Sequence, residues 1–198
     1  ENVRVTRDID VLAQARPQGA LREVARVLRE QGFEPEGPDL DGYAHRFVRE
    51  GVIVDILAPD GITAPPTFHG NQRALGIPGR SQALSRSEEV EVSVGGRDFV
   101  LRRPTLLGAI LIKARSLMVH ADPDSQREDL LLLLSLVEDP RTMAADLRPS
   151  ERTWLRDAES RLALDGTSRL DDTRMRLARL TFRLLASSSQ DQAKTGSS

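Results

Sequence analysis

Apolar and polar residues alternate along Val3-Arg4-Val5-Thr6-Arg7-Asp8-Ile9-Asp10-Val11-Leu12. A period of two is the pattern of a half-buried strand. Val3, Val5, Ile9 and Val11 share one face, and Thr6, Asp8 and Asp10 share the other. Two carboxylates two residues apart on a strand stand about 7 Å apart at Cα. They repel each other, and a divalent cation within reach of both relieves that repulsion. An Asp-x-Asp at a strand end also serves as an ordinary solvated turn. Thr6, on the acidic face, is a donor for a phosphate oxygen or simply a residue that strands favour.

A second segment narrows the choice. Phe47 to Leu57 reads as two strands joined by the tight turn Glu50-Gly51, a hairpin. Its second strand is apolar except for Asp55, which predicts a central position in a sheet. A buried, unpaired carboxylate costs several kcal/mol, so Asp55 requires a partner. Two partners suit it: a cation shared with Asp8 and Asp10, or an arginine.

The remaining pattern predicts an α+β protein. Ala20 to Leu28 repeats at helical spacing and stops at Gln31-Gly32. Val90 to Val94 and Phe99 to Leu101 flank Gly95-Gly96 as a second hairpin. Helices are then predicted from Pro104 to Val119, Gln126 to Val137, Pro149 to Leu164 (with Ser150 as N-cap) and Thr173 to Ala186. The expected organisation is a mixed β-sheet half over 1–103, a helical bundle over 104–186, and a disordered Ser/Gln-rich tail over 187–198.

Composition limits the function classes. The 198 residues include no cysteine, which removes disulfides and thiolate metal sites. Zinc-ligand spacing is absent among His45, His69 and His120. No apolar run approaches the roughly 20 residues of a membrane span, and the expected setting is cytoplasmic. A net charge of −2 gives no global attraction to nucleic acid. Nearly all cations are arginines, and only Lys113 and Lys194 are lysines. Lys113 sits among Ala109, Ile110 and Ile112, so its ammonium either reaches out to solvent or meets an anion. The last predicted helix carries Arg176, Arg179 and Arg183 on one side, a row for an RNA backbone or an ordinary solvated face. Trp154 and Phe182 are expected in the core of the helical half.

Four segments, in order, resemble the nucleotidyltransferase superfamily, and more narrowly its small toxins of the AbiEii/MenT kind. Arg4 to Asp10 is similar to the family strand with Ser or Thr two residues before the first acid. Val54-Asp55-Ile56-Leu57 is similar to the strand bearing the third acid. Ala109 to Ala114 is similar to the helix with an active-site lysine, and Arg127 to Leu131 to the next helix, which carries a further aspartate. The chain differs in showing no Gly- or Ser-rich turn before Asp8, and in offering His120 where some members continue to an arginine.

The resemblance implies a nucleotidyltransferase-like fold and transfer of a nucleoside monophosphate from an NTP to a hydroxyl, with Mg²⁺ ions about 4 Å apart. It implies Asp8, Asp10 and Asp55 as metal ligands, Lys113 as a charge aimed at the phosphates, and Thr6 as a nucleotide contact. Asp129 would bind nucleotide or orient Lys113; as an acid early in a helix, it is equally explained by the helix dipole. The implied acceptor is the 3′ end of tRNA, with Arg176, Arg179 and Arg183 as RNA contacts, and the implied partner is a cognate antitoxin. Transfer to a protein or small molecule would use the same site; a degenerate, non-catalytic fold that binds a nucleotide or partner is the alternative of another class, and the intact set Asp8, Asp10, Asp55 and Lys113 speaks against it.

Overall fold

Val52–Ala58 is apolar at every position but Asp55, the composition of a strand covered on both faces. In the computed structural model it is the centre of a sheet. The structure describes residues 8–12, 20–37, 45–58, 67–69, 72–73, 75–76, 82, 85–119, 123–164 and 168–187. It divides into two compact units, Glu1–Ser81 and Gln82–Ser198, and the class is mixed α+β, as expected. The division differs from the expected boundary after Arg103, because the second hairpin groups with the helices. Among the described residues no helix is long and apolar enough to cross a membrane.

In the first unit, β1 (Asp8–Leu12) is followed by α1 (Ala20–Glu30), β2 (Glu34–Pro35), β3 (Arg46–Arg49) and β4 (Val52–Ala58), then by short strands β5 (Thr67–His69), β6 (Gln72–Arg73) and β7 (Leu75–Gly76). The main sheet runs β1-β4-β3-β2, with β7 also paired to β4. β1 lies parallel to β4, and β3 antiparallel to it. Glu50 and Gly51 both take positive φ, the backbone of a two-residue primed turn. That turn sets the register of β3 on β4.

Leu21 and Ala25 of α1 are buried with Phe47, Val54, Ile56 and Ala58, and Val11, Val24, Leu28 and Phe33 pack around them. Alternation along β4 therefore sends Val54, Ile56 and Ala58 to the α1 face and Ile53, Asp55 and Leu57 to the other. The expected apolar face of β1 is only partly realised, since Val11 is half-buried while Ile9 is 53% exposed. The helix stops at Gly32, whose φ of +81° lets Phe33 N donate to Leu28 O and Gly32 N to Arg29 O.

The second unit opens with the hairpin β8 (Ser87–Val94) and β9 (Arg97–Pro104). Five helices follow: α2 (Leu106–Val119), α3 (Pro123–Ser135), α4 (Pro140–Ala145), α5 (Pro149–Leu162) and α6 (Asp172–Ala186). Their core joins Ile110, Leu111 and Leu117 to Leu130, Leu131 and Leu134, and these to Leu155, Leu162, Phe182 and Leu185. Phe182 is fully buried, as expected. Trp154 is only half-buried, with the Arg115 guanidinium 5.0 Å from its ring centroid.

Helix starts and caps differ from expectation in several places, and α3 begins at Pro123 rather than Gln126, which puts Asp129 in mid-helix, beyond the first turn where the dipole would account for it. Pro104 closes β9 instead of opening α2, and Thr105 supplies the cap by accepting from Gly108 N at 3.1 Å. The cap position of α5 is Arg148 rather than Ser150, because Pro149 fits the first turn, where no amide hydrogen is needed. The helix α4 was not expected; Pro140 starts it and the Asp139 carboxylate caps it. The predicted disordered tail falls at residues 188–198, outside the described residues, apart from Ser187 at the end of α6.

Candidate functional site

The parallel register of β1 on β4 pairs Asp8 with Ile53, Asp10 with Asp55 and Leu12 with Leu57. Partners in a parallel pair share a face, and so do residues two apart on one strand. Asp8, Asp10 and Asp55 therefore occupy one face of the sheet, opposite to that covered by α1. Neighbouring strands lie about 4.8 Å apart, so Asp10 and Asp55 are the tightest pair of the three. Thr6 lies outside the described residues, and Asp8 is described in its backbone alone.

Asp10 is exposed, whereas Asp55 is buried within an apolar strand. Burial of that carboxylate is answered by an arginine. Arg46 Nε donates to Asp55 Oδ1 at 2.9 Å and a terminal guanidinium nitrogen donates to Oδ2 at 3.0 Å. Arg46 and Asp55 are direct cross-strand partners in the β3–β4 hairpin. Glu36 also stands 3.8 Å from Arg46 Nε. Of the two partners open to Asp55 in the sequence, the arginine is the one observed. Its two-point grip fixes the plane of the carboxylate and leaves each oxygen with acceptor capacity.

Can the same face hold a cation? Its donors are all carboxylate oxygens, which suit a hard ion such as Mg²⁺. Among the described residues no group of three His, Cys, Asp or Glu side chains is arranged to hold a metal ion. The pair Asp10 and Asp55 fits a hard cation by donor type, with Asp8 placed on the same face by its backbone.

The remaining sequence candidates lie in the second unit. Lys113 Nζ on α2 stands 2.9 Å from Asp129 Oδ2 on α3 and donates to Gln126 Oε1 at 3.0 Å. The lysine thus meets an anion, and that anion is the aspartate read as its possible orienting partner. Both side chains are partly exposed. On α6, Arg179 Nε donates to Leu164 O at 2.8 Å, while Arg176 and Arg183 are exposed. The three arginines are therefore not equivalent.

Sequence reading did not single out Arg46, nor the buried group around Glu151. Glu151 is fully buried at the start of α5. It accepts from Arg86 Nε and a terminal nitrogen at 2.9 and 2.8 Å, from the Arg148 backbone at 2.8 Å, and from Gln82. Burial opposes its charge, but Arg86, the Arg148 amide and Gln82 outweigh burial and hold the carboxyl below the ordinary glutamate range. Arg86 also bonds Asp146 at 2.6 Å. This group ties the start of β8 to the α4–α5 junction and is complete in itself. The hairpin turn would have exposed Arg46 to sequence reasoning; Glu151 gives no such signal, since its partners come from distant segments.

Comparison with protein-family models, with curated proteins and with solved structures returns no match.

Proposed function

We infer that the chain is a metal-dependent nucleotidyltransferase that moves a nucleoside monophosphate from an NTP to an acceptor hydroxyl. The reading takes the 3′ end of tRNA as acceptor, and a toxin held in check by an antitoxin as the setting; both come from the resemblance of the four sequence segments. One observation carries the catalytic part: Asp10 and Asp55 are register partners on adjacent parallel strands, with Asp8 on the same face.

The chemistry asks little of the protein beyond placement. The acceptor oxygen attacks the α-phosphorus, the bond to the β-phosphate oxygen breaks, pyrophosphate leaves, and the hydroxyl proton passes to a carboxylate or water. Asp10 and Asp55, with Asp8 on the same face, would hold a divalent cation, which would supply charge neutralisation for the triphosphate and acidify the attacking hydroxyl. Asp10, exposed at the face, would be a ligand to that cation beside Asp55. Asp55 is held by Arg46 in one plane, so it presents its oxygens at a fixed angle without reorganisation. Lys113 is the compact cation that the resemblance implies for phosphate, held by Asp129 and Gln126 until an anion displaces those contacts.

A second reading rests on the Arg46–Asp55 pair itself. A carboxylate already satisfied by a guanidinium needs no cation, and the face would then be structural. One experiment separates the two. The intact chain is incubated with Mg²⁺, each of four α-³²P-labelled NTPs, and either total tRNA or total protein. Label on tRNA that disappears with Asp10→Asn supports the first reading with its acceptor. Label on protein keeps the transferase and replaces the acceptor. No label in any arm, or label unchanged by Asp10→Asn, overturns the catalytic reading.

A further inference from the structure

The last helix has two unlike surfaces. Met175, Ala178, Phe182 and Leu185 are buried in the core of the second unit. On the other side Arg176, Leu177, Leu180 and Arg183 are all exposed, with Leu177 at 43% and Leu180 at 54%. At 3.6 residues per turn these four fall within a sector of about 120°. A lone exposed leucine is ordinary. Two leucines at i and i+3, bracketed by arginines seven residues apart, form a ridge with an apolar centre and cationic ends. Arg179 stands outside it, since its guanidinium reaches back to Leu164 O.

The chemistry of the ridge selects its occupant. A phosphate backbone is recognised by cations and polar donors, and offers nothing to the two leucines at the centre. A second copy of the chain fits poorly: antiparallel pairing of the ridge with itself sets Arg176 near Arg183, and the nearest acid on this side, exposed Asp172 one turn before Arg176, falls beyond the paired stretch. The chain's own end fits no better, since Ser188 to Ser198 holds one apolar residue, Ala193, and one acid, Asp191. An amphipathic helix lays apolar anchors at i, i+3 or i+4 spacing onto such a surface, and acids beside the anchors complement the arginines.

We propose that the outward face of α6 docks an acidic amphipathic helix of a partner protein, with Leu177 and Leu180 as apolar anchors and Arg176 and Arg183 as charge partners. The proposal does not rest on the catalytic reading; it takes Arg176 and Arg183, which the resemblance implies as RNA contacts, as contacts to a protein instead.

The test uses the intact chain and a fluorescein-labelled synthetic helical peptide with leucines at i, i+3 and i+7 flanked by glutamates, read by anisotropy. Saturable binding is expected, weakened at least about tenfold by Leu177→Gln with Leu180→Gln, the usual size of a hot-spot loss. Arg176→Glu with Arg183→Glu should weaken it similarly, and a lysine-for-glutamate peptide should bind that variant and not the wild type. All four residues are exposed, so circular dichroism should show both double variants folded. Absence of saturable binding, or binding indifferent to the leucine changes, overturns the proposal. So does tRNA binding lost with the arginine changes alone, which gives the face to RNA. Concentration-dependent dimerisation abolished by the leucine changes gives it to a second copy and overturns it as well.

Discussion

Asp10 of β1 and Asp55 of β4 are register partners across a parallel pair of strands, yet they live in different surroundings. One is exposed, and the other is buried and gripped by Arg46. Parallel pairing cannot stagger them to opposite faces. Two acids are thus kept side by side on one face, and the buried one is gripped by the Arg46 guanidinium.

Millimolar Mg²⁺ should raise the thermal midpoint of the chain, and Asp10→Asn should remove most of that rise. A ligand at one hundred times its dissociation constant stabilises by about 2.7 kcal/mol. Differential scanning calorimetry with and without Mg²⁺ checks this, and an equal rise in both proteins removes Asp10 from the cation's shell.

Arg46→Ala and Asp55→Ala should differ in cost. Removing Arg46 leaves the buried Asp55 charge without its guanidinium, worth about 3 kcal/mol. Removing Asp55 leaves a guanidinium that is 40% exposed and still hydrated, at about 1 kcal/mol. Hydrogen exchange of the β3 and β4 amides reads the difference locally. Mg²⁺ should recover part of the loss in Arg46→Ala and none in Asp55→Ala.

The Arg46–Asp55 pair marks how far the sequence alone reaches. A two-residue turn at Glu50-Gly51 forces Arg49 opposite Val52 and, counting outward, Arg46 opposite Asp55. The register was legible once the turn was, and so was the partner of Asp55. Strand periodicity likewise reveals that Asp8 and Asp10 share a face. The parallel pairing of β1 on β4 was not legible, because nothing local to either strand encodes it. Helix α4 escaped because it spans little more than one turn, too short for a hydrophobic period to show; its signals were Asp139 and Pro140 alone. The helix start expected at Pro104 was misplaced, whereas at Pro149 the start agrees and only the cap differs. A proline marks the neighbourhood of a helix start, while tertiary contacts decide on which side of it the helix begins. At Pro104 the contact is the Thr105 amide donating to Arg86 O.

Lys113→Met should cost little stability and much activity. The methionine keeps the apolar part of the side chain and loses the contacts to Asp129 and Gln126. For groups this exposed, the loss is about 1 kcal/mol. If Lys113 binds phosphate as proposed, nucleotide labelling should fall at least about a hundredfold, because such a charge acts on the transition state, and any growth arrest on expression should be relieved. A stability loss with labelling unchanged assigns Lys113 to packing α2 on α3.

Gly108→Ala should destabilise the second unit even though alanine is the better helix former by about 1 kcal/mol. A Cβ at Gly108 would lie 2.5 Å from the backbone oxygen of Arg86 and 3.2 Å from Arg86 Cβ. The carbonyl cannot swing aside freely, because it accepts from the Thr105 amide at 2.8 Å. Relief requires a shift of α2 against the backbone at Arg86, at about 2 kcal/mol, as for other overpacked sites. Urea denaturation followed by circular dichroism measures the sign. Stabilisation would show that this backbone yields.

Acid should weaken the second unit through Glu151. Its carboxyl titrates below the ordinary glutamate range because Arg86, the Arg148 amide and Gln82 together outweigh the opposing effect of burial. A lowered folded-state value means that the unfolded chain takes up the proton first. The stabilisation is thus fully present above about pH 4.3, the ordinary glutamate value, and is lost as pH falls through the lower folded value. Glu151→Gln should flatten that acid limb. It should also lower stability at pH 7 by about 3 kcal/mol, because the Arg86 guanidinium, 11% exposed, loses its buried counter-charge. Unfolding free energies from urea melts between pH 7 and pH 3 follow both effects. An acid limb as steep in Glu151→Gln as in the wild type would move the linkage to another carboxylate, with Asp146, the second anion on Arg86, the first to replace.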